Sequence, residues 1–257
     1  MSEASAILAL AHRDFIKLLR DRQRMVADFA FPLIFIGILG TSLQAGFGDR
    51  AGGLNLLDYV FTGVLAQTVW QSSALGLISL LADREQDFSQ EIFVSPISRY
   101  SIVLGKILGE SLVALPQALG IIVFGFILQI HIGPDQLARM ALALVVIALF
   151  GGAFGVIVLA NLSSQRAANQ IFPFVLLPQF FLAGIFNPIQ NLPLPLDVLS
   201  HLAPMRYAVD LIRDAYYGSA SPIVLSPATT NLAIIGGLFV VFMVVGTFLF
   251  VRAERNR

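Results

Sequence analysis

Long apolar runs dominate the chain and predict its fold class. A helix needs about 20 apolar residues to cross the core of a bilayer, and runs that meet or approach this length recur along the 257-residue sequence. Six spans are predicted, at residues 25–43, 59–82, 106–130, 140–160, 167–186 and 232–251. Barrel strands would be about 10 residues long and would alternate in polarity. We therefore expect an all-α membrane protein with six transmembrane helices, forming one transmembrane domain over residues 1–257.

The first 24 residues show a different pattern, that of an amphipathic helix. Apolar residues recur at helical spacing while basic residues fall on other faces, as in a helix that lies on a membrane surface. The apolar positions are Leu8, Ala11, Phe15 and Leu18, and the basic ones are Arg13, Lys17 and Arg20. Residues 1–24 are predicted to form this interfacial helix, with an ordinary lead-in to the first span as the alternative. Residues 252–257 are a short tail.

The connection at residues 187–230 is too apolar for a water-exposed loop and too interrupted by proline for a full span. Irregular backbone at membrane depth is tolerated only where protein or a water-filled cavity shields it. We expect short re-entrant or interfacial helices that enter from the outer side. The alternative is a collapsed external cap.

Composition and charge agree with a membrane protein and exclude several functions. Charged residues make up only 12% of the chain, against about 25% in soluble domains. The formal net charge is zero, so the chain lacks the excess of positive charge that is typical of nucleic-acid-binding proteins. The sequence contains no cysteine, which excludes disulfides and thiol catalysis.

The distribution of basic residues predicts the orientation. Most of the 16 lysine and arginine residues precede the first span, follow the second or lie in the C-terminal tail. Basic connections stay on the cytoplasmic side of a membrane. Both termini are therefore predicted to be cytoplasmic, in a multi-pass protein.

Motifs for catalysis are missing, and we expect no catalytic or metal-binding residue. The Gly105-Lys106 pair has neither the first glycine nor the hydroxyl residue of a phosphate-binding loop. The three histidines, His12, His131 and His201, are far apart in the sequence. The chain is not expected to be an enzyme or to bind a cofactor itself.

Two charged residues lie within predicted spans, and structural roles are expected for both. Asp28 falls in the first turns of the first span, near the predicted cytoplasmic surface, where a helix dipole favours an anion. Glu110 follows Lys106 by four residues, which suits a same-face ion pair. An ion-driven secondary transporter would need titratable groups deeper in the membrane.

Polar residues in the second and fifth spans are the candidates for a substrate path. Thr68, Gln71 and Ser72 share one face of a helix, and Gln170 lies a turn before Phe174. An amphipathic substrate needs an apolar wall with few polar contacts. The candidate residues for this path are Thr68, Gln71, Ser72, Gln170, Phe174 and Phe181. Packing between helices explains the same rows equally well.

Residues 83–109 closely resemble the signature of type-two ABC exporter permeases, most of all the drug-export branch typified by daunorubicin permeases. The matching residues are Arg84, Glu85, Glu91, Pro96, Ser98, Arg99, Gly105, Lys106 and Gly109. Asp87 stands where this family usually has glycine. A second matching run follows the fifth span and includes Pro188, Pro193, Pro204, Tyr207, Asp210 and Arg213, which lie in the predicted re-entrant region.

The resemblance implies that the loop after the second span forms a cytoplasmic coupling helix, docked in a separate ABC ATPase subunit. The residues carried over to this contact are Arg84, Glu85, Asp87, Phe88, Glu91, Ile92, Phe93, Pro96 and Arg99. It also implies a complex of two permeases, expected to be identical copies, with two ATPases. ATP and magnesium would then bind the ATPase partner.

The implied function is the transmembrane subunit of an ATP-driven exporter in the plasma membrane of a prokaryote. Its cargo would be a hydrophobic or amphipathic molecule, drug-like or lipidic, taken from the cytoplasm or the inner leaflet. A lipid-linked polysaccharide or glycolipid is the alternative cargo. A secondary transporter driven by an ion gradient and a non-transporting scaffold are the other functions considered.

Overall fold

The structure is a computed structural model that describes residues 3–20, 22–48, 53–81, 99–160, 162 and 164–255. It is 83% helix, with no strand in the described residues, which confirms the all-α prediction. The helices are α1 (Glu3–Arg20), α2 (Arg22–Ile34), α3 (Thr41–Phe47), α4 (Leu56–Gly76), α5 (Arg99–Ile127), α6 (Pro134–Leu159), α7 (Gln165–Leu182), α8 (Leu194–Leu202), α9 (Pro204–Tyr217) and α10 (Ala228–Arg255).

Five helical stretches of the described chain are long and apolar enough to cross a membrane. They are Asp28–Phe47, Leu56–Leu81, Tyr100–Ile127, Pro134–Leu159 and Ala228–Phe250. These stretches correspond to the first, second, third, fourth and sixth predicted spans. The fifth predicted span corresponds to α7, which has 18 residues and contains two prolines. The count of six spans therefore stays a prediction.

The first span is one continuous helical stretch built from α2, a π-helical segment at Phe35–Gly40 and α3. Ile34, just before the π segment, and Gly40, its last residue, both keep right-handed helical backbone angles. A π segment widens the helix locally, so the side chains beyond it are rotated relative to those before it.

The α4 helix lies at the centre of the bundle, between α5 and α6. Small residues on α6 let the two backbones approach closely, as is common between membrane helices. A Cβ atom at Gly151 would lie 2.2 Å from the carbonyl oxygen of Trp70, and one at Gly155 would lie 2.6 Å from that of Ala74. Only glycine fits at these two positions.

The N-terminal helix α1 packs along the first half of α5. Ala11 and Asp14 of α1 are buried there, beside Gly109 of α5. In the described part of the chain α5 runs from Arg99 to Ile127, so Lys106, the predicted start of the third span, lies inside this helix, where it pairs with Asp14 of α1. We call this part of the bundle the α1 end. Whether α1 also contacts lipid stays a prediction.

The opposite end holds the two short helices α8 and α9, which lie within the region 187–230 where short helices were expected. We call it the α9 end. Residues 82–98 lie outside the described part of the chain. The predicted coupling helix therefore remains a sequence-based prediction, as does the re-entrant character of α8 and α9.

Candidate functional site

Side chains of the first three spans line a partly open cavity of about 120 Å³ between the helices, which we call the polar chamber after its amides, hydroxyls and carboxylate. Its walls are Asp28, Phe31, Pro32, Gln67, Thr68, Gln71, Ser72, Leu75 and Gln117. Gln117 Nε2 donates a hydrogen bond to Asp28 Oδ2 at 3.0 Å. Gln67 Nε2 donates to Gln71 Oε1, also at 3.0 Å. These bonds fix the orientation of the amides around the chamber.

The Asp28 carboxylate of the first span meets Gln117 of the third span. Asp28 is the first residue of the stretch Asp28–Phe47, which is long and apolar enough to cross a membrane, whereas Gln117 lies well inside the stretch Tyr100–Ile127. The contact therefore joins the start of the first span to the interior of the third. The depth of Asp28 in the membrane stays a prediction.

A larger cavity of about 460 Å³ adjoins the polar chamber, and we call it the apolar cavity. Its walls are Phe31, Gln71, Leu75, Asn169, Phe172, Pro173, Phe174, Leu176, Leu177 and Phe180. Phe31, Gln71 and Leu75 line both spaces. The two cavities are therefore neighbours that share part of their walls, and the polar side chains are concentrated in the smaller one.

The residues predicted for the substrate path occupy four places. Thr68, Gln71 and Ser72 line the polar chamber, and Phe174 lines the apolar cavity. Gln170 instead lines a third hollow of about 720 Å³ with Ser164, Gln165, Arg166 and Asn169, the last of which also lines the apolar cavity. Phe181 is 57% exposed on the surface of α7 and lines none of these spaces.

Sequence reasoning left four residues that line the polar chamber out of the candidates: Asp28, Phe31, Gln67 and Gln117. The four-residue spacing of Gln67 and Gln71, which lets them pair on one helix, was a usable signal. Gln117 is polar and falls in the middle of an apolar span, which was a second signal. Phe31 carried none, since an aromatic residue in a span is ordinary.

At the α1 end, a buried ion network joins α1 to α5. Lys106 Nζ lies 2.8 Å from Asp14 Oδ2 and 3.4 Å from Glu110 Oε1, with all three side chains almost fully buried. Arg13 pairs with Asp14 at 3.1 Å, and Ser79 Oγ donates to Glu110 Oε1 at 3.2 Å. The predicted pair of Lys106 and Glu110 is confirmed. Buried charges are tolerated when they are paired and hydrogen-bonded in this way.

In the sequence, residues of this ion network precede and follow the segment predicted to contact an ATPase. Ser79 precedes the undescribed residues 82–98, and α5 follows them. Of the predicted coupling residues, Arg84, Glu85, Asp87, Phe88, Glu91, Ile92, Phe93 and Pro96 lie outside the described residues. Arg99 is the first residue of α5.

At the α9 end, two carboxylates of α9 hold the chain that leads into α10. Asp210 accepts hydrogen bonds from the Leu225 and Ser226 backbone N–H groups and from Asn231 Nδ2, each at 2.8 Å. Asp214 accepts from the Ala228 N–H at 2.7 Å. Helix N-termini leave N–H groups unpaired and attract negative charge. The two carboxylates thus cap α10 from a neighbouring helix.

Arg213 and Tyr59 converge on one carbonyl in the turn after α7. The Gly184 oxygen accepts from Arg213 at 2.7 Å and from the Tyr59 hydroxyl at 2.8 Å. The guanidinium also lies 3.8 Å from the centroid of the Tyr59 ring, a cation–π distance. Burial lowers the pKa of Arg213 from its ordinary value, although a guanidinium stays protonated in proteins. This contact joins α9, α4 and the end of α7.

The other residues of the predicted external region occupy helix ends and turns. Pro193 caps the start of α8 and Pro204 is the first residue of α9. Pro188 lies in the turn between α7 and α8. Tyr207 donates from its hydroxyl to the His201 carbonyl at 2.7 Å, which links α9 back to α8. The residues Tyr207, Asp210 and Arg213 thus each make a distinct contact that fixes α9.

Comparison with known proteins identifies similar chains. Residues 5–217 match the ABC-2 type transporter family. The chain is 27% identical over 252 residues to a protein of Cyanophora paradoxa named as the transport permease ycf38, covering 95% of this chain and 87% of the relative. It is 28% identical over 167 residues to a protein of Escherichia coli strain K12 named as the multidrug ABC transporter permease YbhR. That match covers 61% of this chain and 45% of the relative. It is 26% identical over 203 residues to the capsule polysaccharide export inner-membrane protein BexB of Haemophilus influenzae, covering 74% and 70%.

Proposed function

The chain belongs to the ABC-2 type transporter family, and on that premise we propose that it is the membrane subunit of an ATP-driven exporter of hydrophobic or amphipathic molecules. Members of this family are permease subunits, which are not themselves enzymes. The energy would come from ATP and magnesium bound by two separate ABC ATPase subunits. The cargo, drug-like or lipidic, would leave the cytoplasm or the inner leaflet of a prokaryotic plasma membrane.

The observation that carries this proposal is the adjoining pair of cavities between the spans. The larger one is lined mainly by apolar and aromatic side chains, and the smaller one adds amides, hydroxyls and a carboxylate to an apolar wall. Ligand sites combine a mainly apolar wall with a few polar groups that orient the ligand. An amphipathic molecule matches both parts, whereas a small inorganic ion would leave the apolar part unused.

The proposed topology has six spans, with α7 as the fifth, and both termini in the cytoplasm. In this arrangement the α1 end faces the cytoplasm and the predicted ATPase contact, while α8 and α9 close the outer side. The basic residues before the first span and in the tail support this orientation. The ion network at the α1 end supports it too, because it stabilises the helices on both sides of the coupling segment.

We further propose that two identical copies assemble, with α7 in the interface between them. The α7 helix exposes a wide apolar surface that includes Ile171, Phe174 and Leu177, which are 40%, 79% and 57% exposed. The same surface carries Asn169, Gln170 and two prolines, which suits a protein contact better than lipid. The apolar cavity opens on this helix, so a second copy would complete its wall.

A lipid-linked polysaccharide or glycolipid is the alternative cargo. The name of the relative BexB, which refers to capsule polysaccharide export, favours it. The polar hollow at the start of α7, with Arg166, Asn169 and Gln170 in its wall, offers the hydrogen-bonding groups that such a head group needs. The size of the polar chamber favours the smaller head group of a drug-like or simple lipidic molecule.

Co-purification with the ATPase most often encoded beside such a permease tests the proposal, followed by ATP turnover in lipid nanodiscs. We expect a stable complex with two copies of each chain and turnover that hydrophobic drugs stimulate. Phe88→Asp and Glu91→Lys should abolish this stimulation while leaving the permease folded. Asp197→Lys, a charge reversal in α8, is the control and should retain it. If no ATPase binds and transport follows a proton or sodium gradient, the proposal is wrong.

A further inference from the structure

At the α9 end, polar side chains join the last turn of α7 to both short helices. The Ser200 hydroxyl of α8 donates to the carbonyl of Leu182, the last residue of α7, at 2.7 Å. Arg206 of α9 donates from Nη1 to the same hydroxyl at 2.8 Å. The side chains of Ser200 and Arg206 are both buried. These two hydrogen bonds connect the ends of three helices.

The His201 side chain adds contacts that depend on its protonation state. Its Nδ1 atom lies 3.1 Å from Arg206 Nη1 and 2.8 Å from the carbonyl oxygen of Asp197, one turn earlier in α8. An arginine has only donors, so it bonds Nδ1 only when that nitrogen carries no proton. A carbonyl oxygen has only lone pairs, so it bonds Nδ1 only when that nitrogen is protonated. The two hydrogen bonds therefore exclude one another.

The charged groups around the imidazole ring are few. Arg206 repels a protonated ring, and the Asp197 carboxylate, 3.5 Å from Nδ1 and 3.8 Å from Arg206, attracts it. This carboxylate is 41% exposed, so both of its contacts are weak surface pairs. Tyr207 donates to the backbone carbonyl of His201 and not to its ring. Neither α7 from Ala167 onward nor the turn at residues 183–193 contains a titratable side chain.

We infer that His201 is a pH-sensitive switch between α8 and α9. The neutral ring accepts a hydrogen bond from Arg206 and links the two helices. The protonated ring donates to the Asp197 carbonyl within α8 instead, and the link to α9 is lost. A histidine changes its charge between about pH 5 and 8, and this side chain is 54% exposed, so protons reach it from the solvent.

The consequence of the switch rests on the proposed function and topology, in which the α9 end closes the outer side. An acidic exterior would then loosen the joint between α8 and α9. The Arg206 side chain also supports Ser200, which holds the end of α7. Phe172 and Phe180 of that helix line the apolar cavity. The outer closure of the exporter would thus depend on the external pH.

Hydrogen exchange of the full chain in lipid nanodiscs tests the switch at pH 5 and at pH 8. The reporters are the Ala203 and Arg206 amides, which donate to the Ser200 and Ala203 carbonyls in the joint. The reference is His201→Asn, whose side-chain oxygen is attached to the same carbon as Nδ1 and accepts a hydrogen bond without ever gaining a proton. Because intrinsic exchange also depends on pH, the unmodified chain is divided by the variant at each pH.

We expect this ratio of exchange rates to rise about fivefold from pH 8 to pH 5, the factor that one net hydrogen bond provides. An equal ratio at both pH values would overturn the inference.

Two further variants assign the effect to the contact between His201 and Arg206. Arg206→Met keeps the length of the side chain without its donors, so the pH response should disappear. His131→Asn changes a histidine in the connection between α5 and α6, whose recorded contact with Tyr216 is made by its backbone carbonyl, and should keep the response. A response that persists in Arg206→Met, or that disappears in His131→Asn, would overturn the assignment.

The outcomes separate the switch from the export function, because hydrogen exchange needs neither an ATPase nor cargo. An equal ratio at both pH values, in a chain that assembles with an ATPase and supports turnover, would overturn the switch and leave the exporter intact. A pH-dependent ratio in a chain that assembles with no ATPase would support the switch and overturn the exporter.

Discussion

Removing the Asp210 carboxylate should release the start of α10 from α9. The side chain is 2% exposed and accepts three hydrogen bonds, from the Leu225 and Ser226 amides and from Asn231. The change Asp210→Ala leaves all three donors without their acceptor. Asp210→Asn keeps the size and one acceptor oxygen, but its NH₂ group faces at least one of the donors.

The magnitude follows from these contacts. A hydrogen bond to a charged group contributes about 1.5–3 kcal/mol, and truncating one partner of a buried charged contact costs about 3–5 kcal/mol. The three bonds share one carboxylate, so their contributions are not additive. We expect the free energy of local opening at residues 225–231 to fall by about 3–5 kcal/mol in Asp210→Ala. In Asp210→Asn it should fall by about 2 kcal/mol.

Hydrogen exchange of the Leu225 and Ser226 amides in lipid nanodiscs measures this opening, because exchange reports local stability. A loss of 3–5 kcal/mol corresponds to at least about a hundredfold faster exchange. Asp135→Asn is the matched control, since Asp135 is an exposed carboxylate in the first turn of α6, where such a change costs about 1 kcal/mol or less. If both amides exchange at the unmodified rate in Asp210→Ala, the capping role is refuted.

Three other changes test the packing of the bundle. Lys106→Met should release α1 from α5 at a cost of about 3 kcal/mol, because it leaves buried carboxylates without their lysine, and limited proteolysis within α1 should accelerate. Gly151→Val should lower the melting temperature, because overpacking costs at least about 1–3 kcal/mol. Gly236→Val is the control and should leave the melting temperature nearly unchanged, since a Cβ atom added at Gly236 meets no atom within 4 Å. Tyr59→Phe loses the hydrogen bond to Gly184 but keeps the ring, so the free energy of unfolding should fall by about 1 kcal/mol. An unchanged free energy of unfolding would contradict the contact.

The apolar runs were sufficient to predict most of the architecture. Five of the predicted spans correspond to long apolar helices, because a run of 20 apolar residues has few alternatives to a membrane helix. The membrane boundaries of these spans stay predictions. The third span was predicted to begin at Lys106, which lies inside α5 and pairs there with Asp14 of α1. A pattern along one helix does not show such a partner on another helix.

The candidate substrate path was also predicted only in part, because a pattern along one helix does not show which residues of other helices pack against it. Spacing along a single helix brought Thr68, Gln71 and Ser72 together, and all three line the polar chamber. The contact between Asp28 and Gln117 depends on the register between the first and third spans, which is set by packing and not by spacing. Gln170 and Phe181 were grouped with the path by their position on one predicted span, but α7 directs them to other surfaces.

The contacts of the span Leu56–Leu81, which contains α4, connect both ends of the bundle to the polar chamber. This span supplies Tyr59 to the α9 end, Gln67 and Gln71 to the polar chamber, and Ser79 to the ion network at the α1 end. Tyr59 and Ser79 are 20 residues apart, about 30 Å at the rise of a helix, which is the thickness of the bilayer core. In an exporter of the proposed kind, the ATPase would act on residues 82–98, directly after this span. A displacement there would reach the chamber along the span, because α6 holds the middle of α4 at Gly151 and Gly155 without room for a side chain between them.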